Sequence, residues 1–282
     1  MTYSIIAKCP DTGNFGIGVQ SHWFASGVVC WAKGGVGAVA TQAMALIDHG
    51  PLGLANMEVG ETAFTSLENR LNSDEAPEIR QVAMIDYEGN VAVHTGSQTI
   101  PESGHIVGDG FSCQANMMWN DSVWEGMHEN FSKSEGDLSR RLISSLFTAQ
   151  SMGGDIRGMQ SSRILVVSSD PKVKPWEETI VDLRVDDHPN PLSELERLLD
   201  LHEEYSSFDL ANPQGYNRTK NPELAFWKSI HLANSDRESE ARDLFNFAID
   251  HDECWRELLI RCHNRDLVGI TKETVEILLG VR

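Results

Sequence analysis

The chain has 282 residues, 40% of them hydrophobic and 23% charged, an ordinary globular mixture that is long enough for one large domain and a smaller one. Its 42 acidic and 23 basic side chains give a net charge of −19. That balance argues against nucleic acid or an anionic membrane as partner, because phosphate attraction needs clustered Lys and Arg.

Tyr3 to Cys9 reads as a strand, Pro10-Asp11-Thr12-Gly13-Asn14 as a turn, and Phe15, Ile17 and Val19 as a second strand whose other face is Gly16 and Gly18. The pair forms a hairpin that brings Ser21-His22 level with the chain start, and its bare glycine face admits a backbone or a ligand. Gly34 to Gln42 is a third strand. Pro51 to Leu71 is expected to be helical, with Leu54, Met57, Ala63, Phe64 and Leu67 on one stripe. Gln81–Ile85 and Val91–Thr95 are strands about an Asp86–Asn90 turn, and His105–Asn116 is a further strand. Two helices follow: Val123, Trp124, Met127 and Phe131 line the first. Leu138, Leu142, Leu146 and Ala149 line the second, which Gly153-Gly154 ends. Ile164–Val167 and Ile180–Val185 are late strands.

Short hairpins flanking two central helices predict an α+β fold of packed antiparallel sheets and helices. Composition changes after Val185. Asn190 and Pro191 are expected as N-cap and first turn of a new helix carrying Leu192, Leu195 and Leu199. The domain plan is 1–205 for the mixed domain, 206–220 for a polar linker, and 221–282 for a small all-helical region. Its 223–262 tract resembles one tetratricopeptide-like pair. Residues 1–20 lack a basic segment followed by an apolar core, so no signal peptide is expected, and no run approaches membrane-spanning length. Cys9, Cys30, Cys113, Cys254 and Cys262 are expected as free thiols, which places the protein in the cytoplasm.

Chemistry is sought first at the chain start. Met1-Thr2 is open to ordinary methionine removal, which would leave Thr2 with a hydroxyl beside an α-amine of pKa ~7.7–8.0. Nucleophile and base would then share one residue. Lys33 could lower that amine's pKa if buried, or could be a solvated strand-entry lysine.

Seven stretches resemble, in order, a prokaryotic family of undefined function in the Ntn-hydrolase (N-terminal nucleophile) superfamily. They are Met1 to Ala7, Ser21-His22-Trp23-Phe24-Ala25-Ser26-Gly27, Gly35 to Gln42, Gly50-Pro51-Leu52-Gly53-Leu54, Gln114-Ala115-Asn116-Met117, Gly153 to Ser162, and Val181 to Pro189. The resemblance implies an αββα sandwich of two antiparallel sheets and a hydrolase. The function it implies is an amidohydrolase cleaving a C–N bond of a small metabolite, with Thr2 as nucleophile after Met1 removal. By analogy Asp155 and Ser161 would orient the Thr2 amine; alternatively Asp155 pairs with Arg157 or caps a turn. Lys33 stands where Arg is commoner in that family. Asn116, or backbone N–H groups at Gly34-Gly35 or Ser21-His22, would hold the oxyanion.

The candidate catalytic set is therefore Thr2, Lys33, Asp155 and Asn116, with Ser21, His22, Gln42, Gln114, Arg157 and Ser161 as candidate substrate contacts. The alternative is a small-molecule binding protein, or a differently catalytic enzyme, that keeps Met1. No phosphate-loop, dinucleotide or zinc motif occurs, so no cofactor or metal is expected. The expected partners are a small-molecule substrate, a second copy of the chain in a homo-oligomer, and a protein held by the helical tail.

Overall fold

The structure, a computed structural model, describes residues 2–208, 219–267 and 269–281. The chain divides into two compact units, Met1–Asp200 and Leu201–Arg282.

The larger unit opens with β1 (Thr2–Lys8) and β2 (Phe15–Ser21), paired as the expected antiparallel hairpin. Where one third strand is expected the chain forms two, β3 (Cys30–Lys33) and β4 (Gly37–Ala43). The long helix of residues 51–71 is in fact two, α1 (His49–Glu58) and α2 (Ala63–Asn72). Gly60 takes a left-handed φ of 99° between them, and the Thr62 hydroxyl then caps α2 by accepting from Thr65 N–H. β5 (Arg80–Asp86) and β6 (Val91–Thr95) follow, with the Asp86 carboxylate holding their turn through Glu88 and Asn90. The expected strand of residues 105–116 is a hairpin, β7 (Gly104–Gly108) and β8 (Phe111–Asn116), turning at Asp109-Gly110. Then come α3 (Ser122–Lys133), α4 (Leu138–Ser151), β9 (Ser161–Val167), β10 (Thr179–Val185) and α5 (Pro191–Ser206).

Two antiparallel sheets result, one of six strands in the order β10-β9-β2-β1-β8-β7 and one of four in the order β3-β4-β5-β6. Side-chain alternation along each strand sends its two faces to different layers. From β1, Tyr3, Ile5 and Ala7 join a core with Met127, Leu142 and Leu146 of α3 and α4. Ile6 of β1 and Phe15, Ile17 and Val19 of β2 meet Ala38, Ala40, Ala83 and Ile85 of the second sheet. The outer face of that sheet, Val39, Val82 and Met84, packs on Leu54, Met57 and Leu67 of α1 and α2. The layers thus run helix, sheet, sheet, helix. The glycine face of β2 serves α4: a Cβ at Gly16 would lie 2.8 Å from side-chain atoms of both Leu138 and Leu142. It admits a helix, not a ligand.

In the smaller unit, α6 (Pro222–Ala233), α7 (Glu238–His251), α8 (Cys254–His263) and α9 (Lys272–Leu279) surround Phe226, Phe245, Leu259 and Ile277. Asn221 caps α6, its side-chain oxygen accepting from Glu223 and Leu224 N–H. Most of the expected 206–220 linker lies outside the described residues. Among the described residues no helix is long and apolar enough to cross a membrane.

Candidate active site

Thr2 is the first residue of β1, a strand in the interior of the six-stranded sheet, and register places it between Ser21 at the end of β2 and Asn116 at the end of β8. Three polar side chains therefore meet at one end of the sheet, all buried. The Thr2 hydroxyl donates to Ser21 Oγ at 3.1 Å.

Along β1 the space between the sheets changes character. At Ile6 it is apolar; at Ser4 and Thr2 it becomes a closed network of amides. Ser4 Oγ donates to Gln42 Oε1 at 2.7 Å and accepts from Gln114 Nε2 at 2.7 Å. Gln42 Nε2 donates to Gln81 Oε1 at 2.5 Å. Gln81 Nε2 reaches the Ala115 carbonyl at 2.9 Å and Thr95 Oγ1 at 2.9 Å. Asn116 Nδ2 donates to Gln81 Oε1 at 3.0 Å and to the Thr2 carbonyl at 3.3 Å. These bonds tie the two sheets together and fix the floor beneath Thr2, since an unpaired amide buried there would cost ~1–3 kcal/mol.

Above this floor lies a cavity of about 450 Å³ onto which Thr2, Ser21, Gln42, Asn116 and Arg157 open, a size in the usual range for small-molecule sites. Its walls are otherwise largely apolar, from Val28, Val29, Ile47, Ile79 and Ile100. Ala43 and Met117, at the ends of β4 and β8, border it with positive φ values of 66° and 59°, and nearby Ala25 has 52°. These are the only non-glycine residues of the larger unit, among those described, with left-handed backbone. Such conformations cost ~1–3 kcal/mol each and collect where a site demands them.

The other expected residues stand around this core. Asp155 is buried behind the cavity wall, its carboxylate accepting from His22 N–H at 3.2 Å, from Arg157 N–H at 2.9 Å and from the Arg157 guanidinium at 2.8 and 3.1 Å. It aims Arg157 and ties down His22, whose ring Nδ1 lies 3.3 Å from the Met159 carbonyl. Ser161 serves the 23–26 loop: its Oγ accepts from Ser26 N–H at 3.0 Å and donates to the Trp23 carbonyl at 2.6 Å. Gln114 belongs to the floor. Asn116 borders the cavity, but both its N–H groups are spent on Gln81 and Thr2, so it holds the first carbonyl of β1 and offers no free donor to an oxyanion. Lys33 is displaced from this group. It ends β3 opposite Gly37, five residues along β4 from the Gln42 that meets Ser4, or ~17 Å at ~3.3 Å per residue. Half-exposed, it pairs there with Glu58 at 2.6 Å. The extra strand β3 carries it to the wrong end of the sheet.

Sequence reading missed Arg80. It borders the cavity from the second sheet, held from behind by Asp74 through Nε at 2.8 Å and Nη2 at 3.1 Å, while Nη1 donates to the Met44 carbonyl at 2.6 Å. Asp74 also meets His49 Nε2 at 2.8 Å. The Arg80 hydrogen bond holds the Asp74 carboxyl well below its ordinary range, and burial pushes the His49 imidazole down despite its acidic partner. No sequence motif links Asp74, six residues upstream, to Arg80. Among the described residues no cluster of three or more His, Cys, Asp or Glu could hold a metal ion.

An α+β unit of two facing antiparallel sheets, with a polar-floored, apolar-walled cavity at the start of an interior strand, is the class that fold and site define. Residues 2–195 match the model of a family of unknown function, DUF1028, and the chain belongs to that family. Its structure is similar to the crystal structure of a Silicibacter pomeroyi protein described under the same family, with 29% sequence identity and a TM-score of 0.65, covering 74% of this chain and 88% of that one. No curated protein matches the chain in sequence.

Proposed function

We propose that the larger unit is an N-terminal-nucleophile amidohydrolase of the Ntn-hydrolase kind, cleaving a C–N amide bond of a small metabolite. The observation that carries this reading is the position of Thr2, which borders the cavity as the first residue of an interior strand. Removal of Met1 frees an amine of ordinary pKa ~7.7–8.0, about half or more of which is neutral near pH 8. That amine takes the Thr2 hydroxyl proton as Oγ attacks the substrate carbonyl. The tetrahedral intermediate collapses, the C–N bond breaks, and the proton passes to the departing amine. Water then hydrolyses the resulting ester and regenerates Thr2. Ser21 Oγ, at 3.1 Å, fixes the Thr2 rotamer, and the guanidinium of Arg157, aimed by Asp155, donates toward the developing oxyanion. The five cysteines are unpaired, which supports a reducing, cytoplasmic setting.

The test is an intact-mass measurement together with a screen of small amides and ureido compounds against wild type and Thr2→Ala. Loss of Met1 and a turnover that Thr2→Ala abolishes without changing the melt support the reading. Retained Met1 in active protein, or full activity in Thr2→Ala, overturns it in favour of a pocket that works through other groups.

A further inference from the structure

We infer that the cavity is built for a substrate with an apolar body and a carboxylate, and that Arg80 reads the carboxylate while the reacting carbonyl lies at Thr2. The inference rests on the Thr2 reading only for where the chemistry occurs.

The charge pattern comes first. The chain carries 42 acidic residues against 23 Lys and Arg, yet the ionisable side chains bordering the cavity, among the described residues, are Arg80 and Arg157, with no Asp or Glu. An acidic protein has placed cations alone around this cavity. The matching carboxylates, Asp74 and Asp155, sit behind these arginines, with side chains 2% and 0% exposed. They hold each guanidinium from the rear. Asp74 could serve a purely structural pair with Arg80 anywhere in the fold; here that pair is set into a cavity wall.

Donor arithmetic gives Arg80 its role. A guanidinium has five N–H groups. Three are directed at Asp74 and the Met44 carbonyl, which leaves two, one on each Nη. Two adjacent N–H groups match the two oxygens of a carboxylate, a pairing roughly twice as strong as a neutral hydrogen bond and specific in orientation. Arg80 comes from the second sheet, whereas Thr2, Ser21 and Arg157 come from the first sheet and its flanking loop. A ligand that reaches both must cross the cavity, and the walls it crosses are Val28, Val29, Ile47 and Ile100. The fitting class is an N-acyl amino acid or a similar amide acid with an apolar side chain.

Binding is measured by calorimetry on Thr2→Ala, so that turnover does not intervene. The probes are N-acetyl-L-phenylalanine and its neutral carboxamide. The carboxylate is expected to bind at least ~10-fold tighter, and added Arg80→Lys should shrink that gap to below ~3-fold while the carboxamide affinity stays constant. Equal affinity for the two probes, a gap that Arg80→Lys leaves intact, or no binding of either at millimolar concentration overturns the inference. If Arg80→Lys fails to give a cooperative melt, the unsubstituted pocket still decides: the gap must narrow as salt rises from 0.05 to 0.5 M, on the order of the screening expected of a charge contact. Thr2→Ala that hydrolyses N-acyl compounds as fast as wild type would sink the nucleophile reading and leave the carboxylate preference standing.

Discussion

Asp74→Asn is the sharpest perturbation of the cavity wall. Each Asp74 oxygen accepts twice: Oδ1 from Ala76 N–H at 3.0 Å and Arg80 Nη2 at 3.1 Å, Oδ2 from His49 Nε2 at 2.8 Å and Arg80 Nε at 2.8 Å. An amide nitrogen at Oδ1 would face two donors and lose both bonds, and at Oδ2 it would lose the Arg80 Nε bond while His49 can accept only by changing tautomer, so one or two of the four bonds are lost. At ~1.5–3 kcal/mol for a hydrogen bond to a charged group, the loss is about 1.5–6 kcal/mol. That is a large part of the ~5–15 kcal/mol that stabilises a folded domain. For a unit of this size it lowers Tm by on the order of 10 °C. The pH dependence carries a second signature. The folded Asp74 carboxyl sits below its ordinary value, so its contribution is complete above the unfolded value of ~3.9 and drains away as pH falls through the folded one. Thermal melts between pH 3 and 8 should therefore show a constant gap between variant and wild type above pH ~4 that begins to narrow toward pH 3. A Tm within ~2 °C of wild type at pH 7, or a difference that persists undiminished to the acid end, would refute the assignment of Asp74 as the anchor of Arg80.

His49→Gln should flatten a different part of the same profile: the folded imidazole titrates below its ordinary value, so wild type loses this contribution as pH falls from ~6.5, and the variant should not. Ala43→Gly relieves a left-handed alanine at φ 66°, with an expected gain of about 1 kcal/mol in chemical denaturation; a loss would mean the methyl contributes more than the strain costs. Lys33→Ala removes only a half-exposed pair with Glu58 and should change stability by less than ~1 kcal/mol and leave the proposed turnover intact, whereas loss of a catalytic lysine would abolish it. Gln81→Leu should destabilise by roughly 2–4 kcal/mol in urea titration, because it strands the Gln42 and Asn116 amides that donate to it.

Much of the larger unit was legible because its signals are local. Alternation along residues 15–19 and the four-residue steps Leu138, Leu142, Leu146 mark a strand and a helix without reference to neighbours. Boundaries failed where one residue punctuates an otherwise continuous pattern. Gly60 splits the expected helix in two, and Asp109-Gly110, a known hairpin dipeptide, splits the expected strand. The β3 strand was hidden because Cys30-Trp31-Ala32-Lys33 is too short for alternation to register. That one omission placed Lys33 at the start of a strand leading toward Thr2, when it ends a strand leading away.

The site divides along the same line. Thr2, Ser21 and Asn116 could be brought together from sequence because each ends a strand of one sheet, and hairpin register alone aligns them. Gln42 and Gln81 meet them only across the gap between two sheets, and Arg80 only through Asp74 and the Met44 carbonyl. Those contacts depend on layer packing, which no spacing in the chain encodes. The split also separates two roles: the first sheet supplies the hydroxyl, the groups that hold it and part of the floor, and the second supplies the rest of the floor and Arg80, the cation proposed to meet a ligand. Changes confined to residues 43–47 and 79–80 should then alter which molecule binds while leaving the Thr2–Ser21 pair in place, whereas changes at Ser21 or Asn116 should disturb the proposed nucleophile for every substrate alike.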